Sequence, residues 1–108
     1  MNKSPDDKIV QSILQALQNT ACRILVYGNN GNGTTEIAVI TPYRINVDQE
    51  ARLSDAVAEF NKKHDAKYSV IDIDTFTFEK KRKEIPLYQE IDQSGVELWP
   101  SAPAEPQW

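Results

Sequence analysis

Residues whose types could do chemistry fall in two short stretches of the chain. In YGNNGNGTTEIAVIT, residues 27–41, three glycines occupy a six-residue bend, and the strand that follows carries Glu36 and then Ala38 on one face. Further on, KYSVIDIDTF, residues 67–76, sets Asp72 and Asp74 two positions apart. Alternate residues of a strand share a face. A glycine turn holding phosphate, acids at alternate positions on the next strand and one more acid on a later strand would therefore gather carboxylates around that phosphate. The chemistry would be metal-assisted phosphoryl transfer, in which two Mg²⁺ ions about 3.5 to 4 Å apart activate the attacking oxygen and hold the leaving phosphate. By its residues alone, however, a glycine- and asparagine-rich loop between two strands is first of all a plain hairpin connection. No Gly-Lys-Ser/Thr follows, which excludes a P-loop. The bend opens into a strand and not a helix, which excludes a dinucleotide-binding fingerprint.

The elements that must position these residues follow from periodicity and punctuation. Ser4-Pro5-Asp6-Asp7 reads as a helix start, with Ser4 as N-cap, and Ile9, Val10, Ile13, Leu14 and Leu17 then recur at helical spacing. RILVYG and EIAVIT are short β-branched strands joined by the bend as an antiparallel hairpin. After Pro42, residues 47–66 form a helix that Asp48 could cap, with Leu53, Val57 and Phe60 along one side. Residues 67–76 alternate as a third strand, TFEKKRKE and LYQEIDQSG are two helical pieces separated at Pro86, Gly95 suits a left-handed cap, and VELW is a final strand. The order α-β-β-α-β-α-β predicts an α+β fold with a mixed four-stranded sheet and helices on one face. Alternation then points Ile37, Val39, Ile71 and Ile73 to the helices and Glu36, Ala38, Asp72 and Asp74 to the open face. The domain spans 1–99, and 100–108 is a tail with three prolines.

Composition narrows the functions. With 108 residues, a single core can bury about 60 to 70% of the unfolded surface, and no second domain fits. A formal charge of −4 gives no general field toward phosphate backbones or anionic lipid, so nucleic acid is an unfavoured partner. No stretch approaches the ~20 apolar residues a membrane span needs, and the N-terminus lacks a signal-peptide core, so a soluble cytoplasmic protein without membrane contact is expected. Cys22, the single cysteine, excludes an intrachain disulfide and reads as a small core residue. His64, with no second histidine or cysteine nearby, reads as a solvated helix-end residue. The basic run at 79–84 reads as a solvated helix face, with phosphate or RNA binding as the alternative. Tyr88, Trp99 and Trp108 serve either a core or an interface.

The whole pattern resembles the minimal nucleotidyltransferase domain, the small stand-alone relative of the DNA polymerase beta palm. The resemblance runs from Ile9 to Trp99 through RILVYGNNGNG, TTEIAVI, VIDIDTFTF and EIPLYQEIDQSGVELW. That family's turn reads Gly-Ser-x-Ala-Arg-Gly, followed by Ser-Asp-x-Asp and a third Asp on a later strand. Its members transfer a nucleotidyl group from a nucleoside triphosphate with Mg²⁺, and many pair with a helical protein of the HEPN class in toxin-antitoxin systems. Carried over, the turn's outer glycines are Gly28 and Gly33. Asn29 replaces the phosphate-contacting serine, Asn32 replaces the arginine, and Thr35 matches the second serine. These make Gly28, Asn29, Gly33 and Thr35 the nucleotide-holding set. Glu36 stands for the first metal-binding Asp, Ala38 for the second, and Asp72 for the third carboxylate, the base for the incoming hydroxyl. Asp74 has no counterpart and is a further metal ligand.

Ala38 supplies no oxygen where a bridging carboxylate belongs. Removing even one oriented electrostatic group costs about 10²- to 10³-fold in rate, and a bridging ligand more. The resemblance thus implies a catalytically impaired domain that binds a protein partner, a HEPN-type toxin by family, or holds a nucleotide without turning it over. Two alternatives stand beside it. One is an active transferase moving AMP to a protein or small molecule through Glu36, Asp72 and Asp74. The other is a ligand-free assembly module.

Overall fold

The computed structural model of the protein describes residues 5–18, 20, 23–29 and 33–99. The chain runs α1 (Pro5–Ala16), β1 (Arg23–Asn29), β2 (Thr35–Thr41), α2 (Val47–His64), β3 (Tyr68–Asp74), α3 (Thr75–Lys81), α4 (Pro86–Ser94) and β4 (Val96–Trp99). The four strands form one mixed sheet in the order β3-β2-β1-β4. β1 is antiparallel to β2 and to β4, and β3 is parallel to β2 through the α2 crossover. The expected α+β class and mixed sheet are therefore present, as is the break at Pro86; because that break makes two separate helices between β3 and β4, the expected order α-β-β-α-β-α-β is corrected to α-β-β-α-β-α-α-β.

Helices cover both faces of the sheet, not one. On one face α1 and α2 bury Ile9, Ile13, Leu17, Leu53, Val57 and Phe60 against Ile24, Ile37 and Val39. On the other, Phe78 of α3 and Ile91 of α4 pack on Leu25, Tyr27, Ala38, Ile40 and Ile73. Strands buried on both sides carry near-continuous apolar runs and not strict alternation, which is the pattern of Ile37 to Ile40. The parallel register sets Ala38 beside Ile71 and Val39 beside Asp72. Residues side by side across a ladder share a face, so Ile71 and Ile73 lie opposite to Ile37 and Val39. The expected grouping of all four isoleucine and valine residues on one side is corrected accordingly.

Local chemistry sets the helix ends. α2 begins at Asn46, whose side chain accepts from the Gln49 backbone N–H while the Gln49 side chain accepts from the Asn46 N–H. This reciprocal box satisfies two orphan donors, so Asn46 and not Asp48 is the cap; Asp48 instead sits in the first turn, where a negative charge suits the helix dipole. At Gly95 the backbone is extended, with φ −67° and ψ 134°, and not left-handed. Glycine is needed there for space: a Cβ would strike the Ile91 carbonyl oxygen and sit 3.0 Å from Leu25 Cδ2. The cap expected at Ser4, the core role of Cys22, Asn32, and the tail 100–108 with Trp108 lie outside the described residues.

Candidate functional site

The bend begins at a strand irregularity. The β1–β2 register slips between Val26 and Gly28, leaving Tyr27 as an extra residue opposite Glu36. The Tyr27 hydroxyl donates to Glu36 Oε1 over 3.3 Å. Burial, then the charge of Glu36 and its hydrogen bond, then the charge of Glu90 push the Tyr27 phenol up to about 12. A Cβ built on Gly28 would lie 3.5 Å from Glu90 Oε2 and 3.9 Å from Glu36 Oε2. Two carboxylates thus flank Gly28. A phosphate seated on this turn would meet like charge where a phosphate-binding turn offers N–H donors.

The other nucleotide-holding candidates are spoken for or lie to one side. The Thr35 N–H donates to the Lys67 carbonyl at 2.8 Å, extending the β2–β3 ladder. Gly33 is exposed with φ +86°, a left-handed conformation that glycine adopts without strain, and it serves the turn. Asn29 closes β1 opposite Thr35, and its side chain lies outside the described residues.

The acids do not converge. Glu36 shares the α3/α4 face with Ala38 and Ile40, whereas Asp72, beside Val39, looks out on the α1/α2 face. Asp74 is the N-cap of α3: its Oδ2 accepts from the Thr77 N–H at 2.9 Å and its Oδ1 from the Thr77 hydroxyl at 2.8 Å. Those two bonds hold the Asp74 carboxyl below the ordinary carboxylate range. Ala38 has 0% exposure and packs in the core, so no open face exists at its position. Among the described residues no group of three or more His, Cys, Asp or Glu side chains is placed to hold a metal ion. Glu36, Asp72 and Asp74 therefore do not fit the two-metal centre that the resemblance implies, and the common face predicted for them is corrected.

The structure instead places Asp72 in a cleft between α2 and β3. The cleft, about 260 Å³, is lined by Glu50, Leu53 and Val57 of α2 and by Tyr68, Val70 and Asp72 of β3. Burial, and then the negative charge of Glu50, push the Asp72 carboxyl up, against a hydrogen bond from its own backbone and the charge of Arg44. Asn61, unremarkable in the sequence, holds one end of the cleft: its amide donates to the Tyr68 carbonyl at 3.0 Å and accepts from the Tyr68 N–H at 2.9 Å. Nothing in the local pattern marks Asn61 or Glu50, because both matter through the way α2 folds back on β3, which helical periodicity does not record. The larger groove, about 680 Å³ between α1 and α2, interleaves Lys8, Arg52 and Lys63 with Asp55 and Glu59 and touches none of the predicted site residues.

The remaining features resolve as packing and surface. His64 is exposed and lies against Phe60, with ring centroids 4.2 Å apart. Tyr88 packs on Phe78, and Trp99 joins the α1/α2 core. The basic run at 79–84 is exposed over most of its length, and Arg82 bridges Glu79 at 3.3 Å and Asp92 at 3.8 Å. No helix among the described residues is long and apolar enough to cross a membrane. No family model matches the chain, and neither a curated protein nor a solved structure is significantly similar to it.

Proposed function

We propose that this domain works by binding a protein partner and that nucleotidyl transfer plays no part in its action. The observation that carries this reading is the placement of Glu36 and Asp72 on opposite, helix-covered faces of the sheet. Two-metal phosphoryl transfer needs its carboxylates within reach of ions about 3.5 to 4 Å apart, and a sheet between them argues against that. The carboxylates of Glu36 and Glu90 beside Gly28 further disfavour phosphate at the turn. Of the family resemblance, the order of elements stays in the proposal and the transferase site does not. A HEPN-type helical protein remains the partner class that the resemblance alone implies.

Calorimetry with ATP and Mg²⁺, run beside an assay for transfer of labelled nucleotide, tests the reading. No transfer and no saturable heat at millimolar nucleotide are expected. Saturable heat without transfer would instead support a nucleotide-holding domain. Transfer that disappears in Glu36→Ala would overturn the proposal in favour of an active enzyme.

A further inference from the structure

Among the described residues β3 is an edge strand, bonded to β2 on one side only. The Lys67 carbonyl faces β2, where it accepts from Thr35, and the Tyr68 N–H and carbonyl face outward, where both meet the Asn61 side chain. Backbone direction alternates along a strand, so the N–H and carbonyl groups of Val70 and Asp72 also face outward. Asn61 thus imitates one residue of a neighbouring strand at the start of the edge; beyond it no described strand bonds the edge, and the Asp72 N–H meets only its own carboxylate, which an incoming carbonyl would replace.

Side chains beside this edge define what could lie along it. Leu53, Val57 and Val70 give the cleft an apolar floor, and Glu50 and Asp72 give it a negative rim. Among the described residues neither acid forms an ion pair, although the charge of Arg44 acts on Asp72 from beyond contact distance. At about 260 Å³ the cleft is below the 300 to 1,000 Å³ of small-molecule sites and suits a single side chain. Strand addition obtains affinity from main-chain bonds and specificity from pockets for alternate side chains.

We propose that the groove between α2 and β3 receives an extended, basic peptide segment of a partner protein as a fifth strand along Val70 and Asp72. The segment sets an apolar side chain over Leu53 and Val57 and, two residues on, a lysine or arginine between Glu50 and Asp72. A second copy of this chain is the weaker occupant. Two β3 edges side by side would bring Asp72, Asp74 and Glu50 of one copy against those of the other, and facing like charges are destabilising. The proposal rests on the reading of the domain as a protein-binding module and adds the place and chemistry of the contact.

The test uses the full chain, ¹⁵N-labelled, titrated with a blocked peptide Thr-Arg-Thr-Val-Thr-Arg-Thr, whose symmetry allows either strand direction. Amide shifts confined to β3 and the facing side of α2 are expected. Affinity should fall at least about tenfold in the double variant Glu50→Gln, Asp72→Asn and with rising salt. It should vanish when the central peptide nitrogens that would pair with the edge are methylated. Absence of shifts at Val70 and Asp72 with millimolar peptide, or binding indifferent to methylation, would overturn the proposal. So would concentration-dependent shifts of the same amides without peptide, which would assign the edge to a second copy. None of these failures bears on nucleotide transfer, which the labelled-nucleotide assay judges separately.

Discussion

Ala38 decides between two accounts of this sheet at the level of one side chain. If the residue faced solvent beside the glycine bend, an aspartate there would restore a metal ligand. In the structure its methyl group has 0% exposure and lies between Leu25 and Ile71 in the ladder, under Phe78 and Ile91. An aspartate at this position would place a carboxylate among apolar side chains with no cation to meet it, and such burial costs several kcal/mol. Ala38→Asp is therefore expected to lose about 3 kcal/mol or more of stability and to gain no Mg²⁺ affinity. Urea unfolding and Mg²⁺ calorimetry on the same sample read both. A folded variant of undiminished stability that binds Mg²⁺ would show that position 38 is not a core position. Asp74 shows how differently two acids of one short stretch can serve: two residues from Asp72, it is fully engaged as a helix cap.

At the scale of elements, helices, strands and their order were legible because each leaves a local mark. Ile9, Ile13 and Leu17 repeat at helical spacing, Pro86 opens α4, and the alternation read over 67–76 holds only through Asp74, where the carboxylate caps α3 and ends the strand. The pairing of one strand with another leaves no such mark. A shift of one residue in β3 against β2 exchanges the faces of Asp72 and Ile71, and with both faces buried each face accepts Ile or Val equally well. That is why the candidate acids could be named from sequence while their separation could not. Gly95 shows a similar limit: glycine after a helix suggests left-handed backbone, yet here the demand is room beside the Ile91 carbonyl and Leu25. Gly95→Ala has no conformational reason to fail at φ −67° and ψ 134°. It should nevertheless cost about 1 to 3 kcal/mol through overpacking where α4 turns into β4. Thermal unfolding measures this. An unchanged midpoint would mean that the turn relaxes freely and that the close approach is not a constraint.

For the molecule as a whole, a sheet clad on both faces leaves its edges, not its faces, as the places where another chain can add. The acidic charge of −4 is distributed so that two of its carboxylates act on stability with opposite sign. Hydrogen bonds from Thr77 hold Asp74 below its ordinary value of 3.8. Its folded form therefore favours the charged state, and that stabilisation is fully present above the unfolded value and is lost as pH falls through the folded one. Asp72 is shifted up from 3.8 by burial and by Glu50, so folding disfavours its charge. The resulting cost is present above its folded value and is relieved as pH falls through that value toward 3.8. Asp72→Asn should accordingly stabilise the protein at pH 7, by an amount that shrinks on acidification, whereas Asp74→Asn should be neutral or destabilising at pH 7 and should flatten the acid limb. Urea midpoints for both variants between pH 7 and pH 2.5 would separate the two effects. An Asp72→Asn variant that is less stable than the parent by a constant amount across that range would mean that Glu50 and burial do not govern this carboxylate. A cation arriving between Glu50 and Asp72 would offset the part of this cost that the charge of Glu50 imposes, so that part and the affinity of a basic strand should fall together in the Glu50→Gln variant.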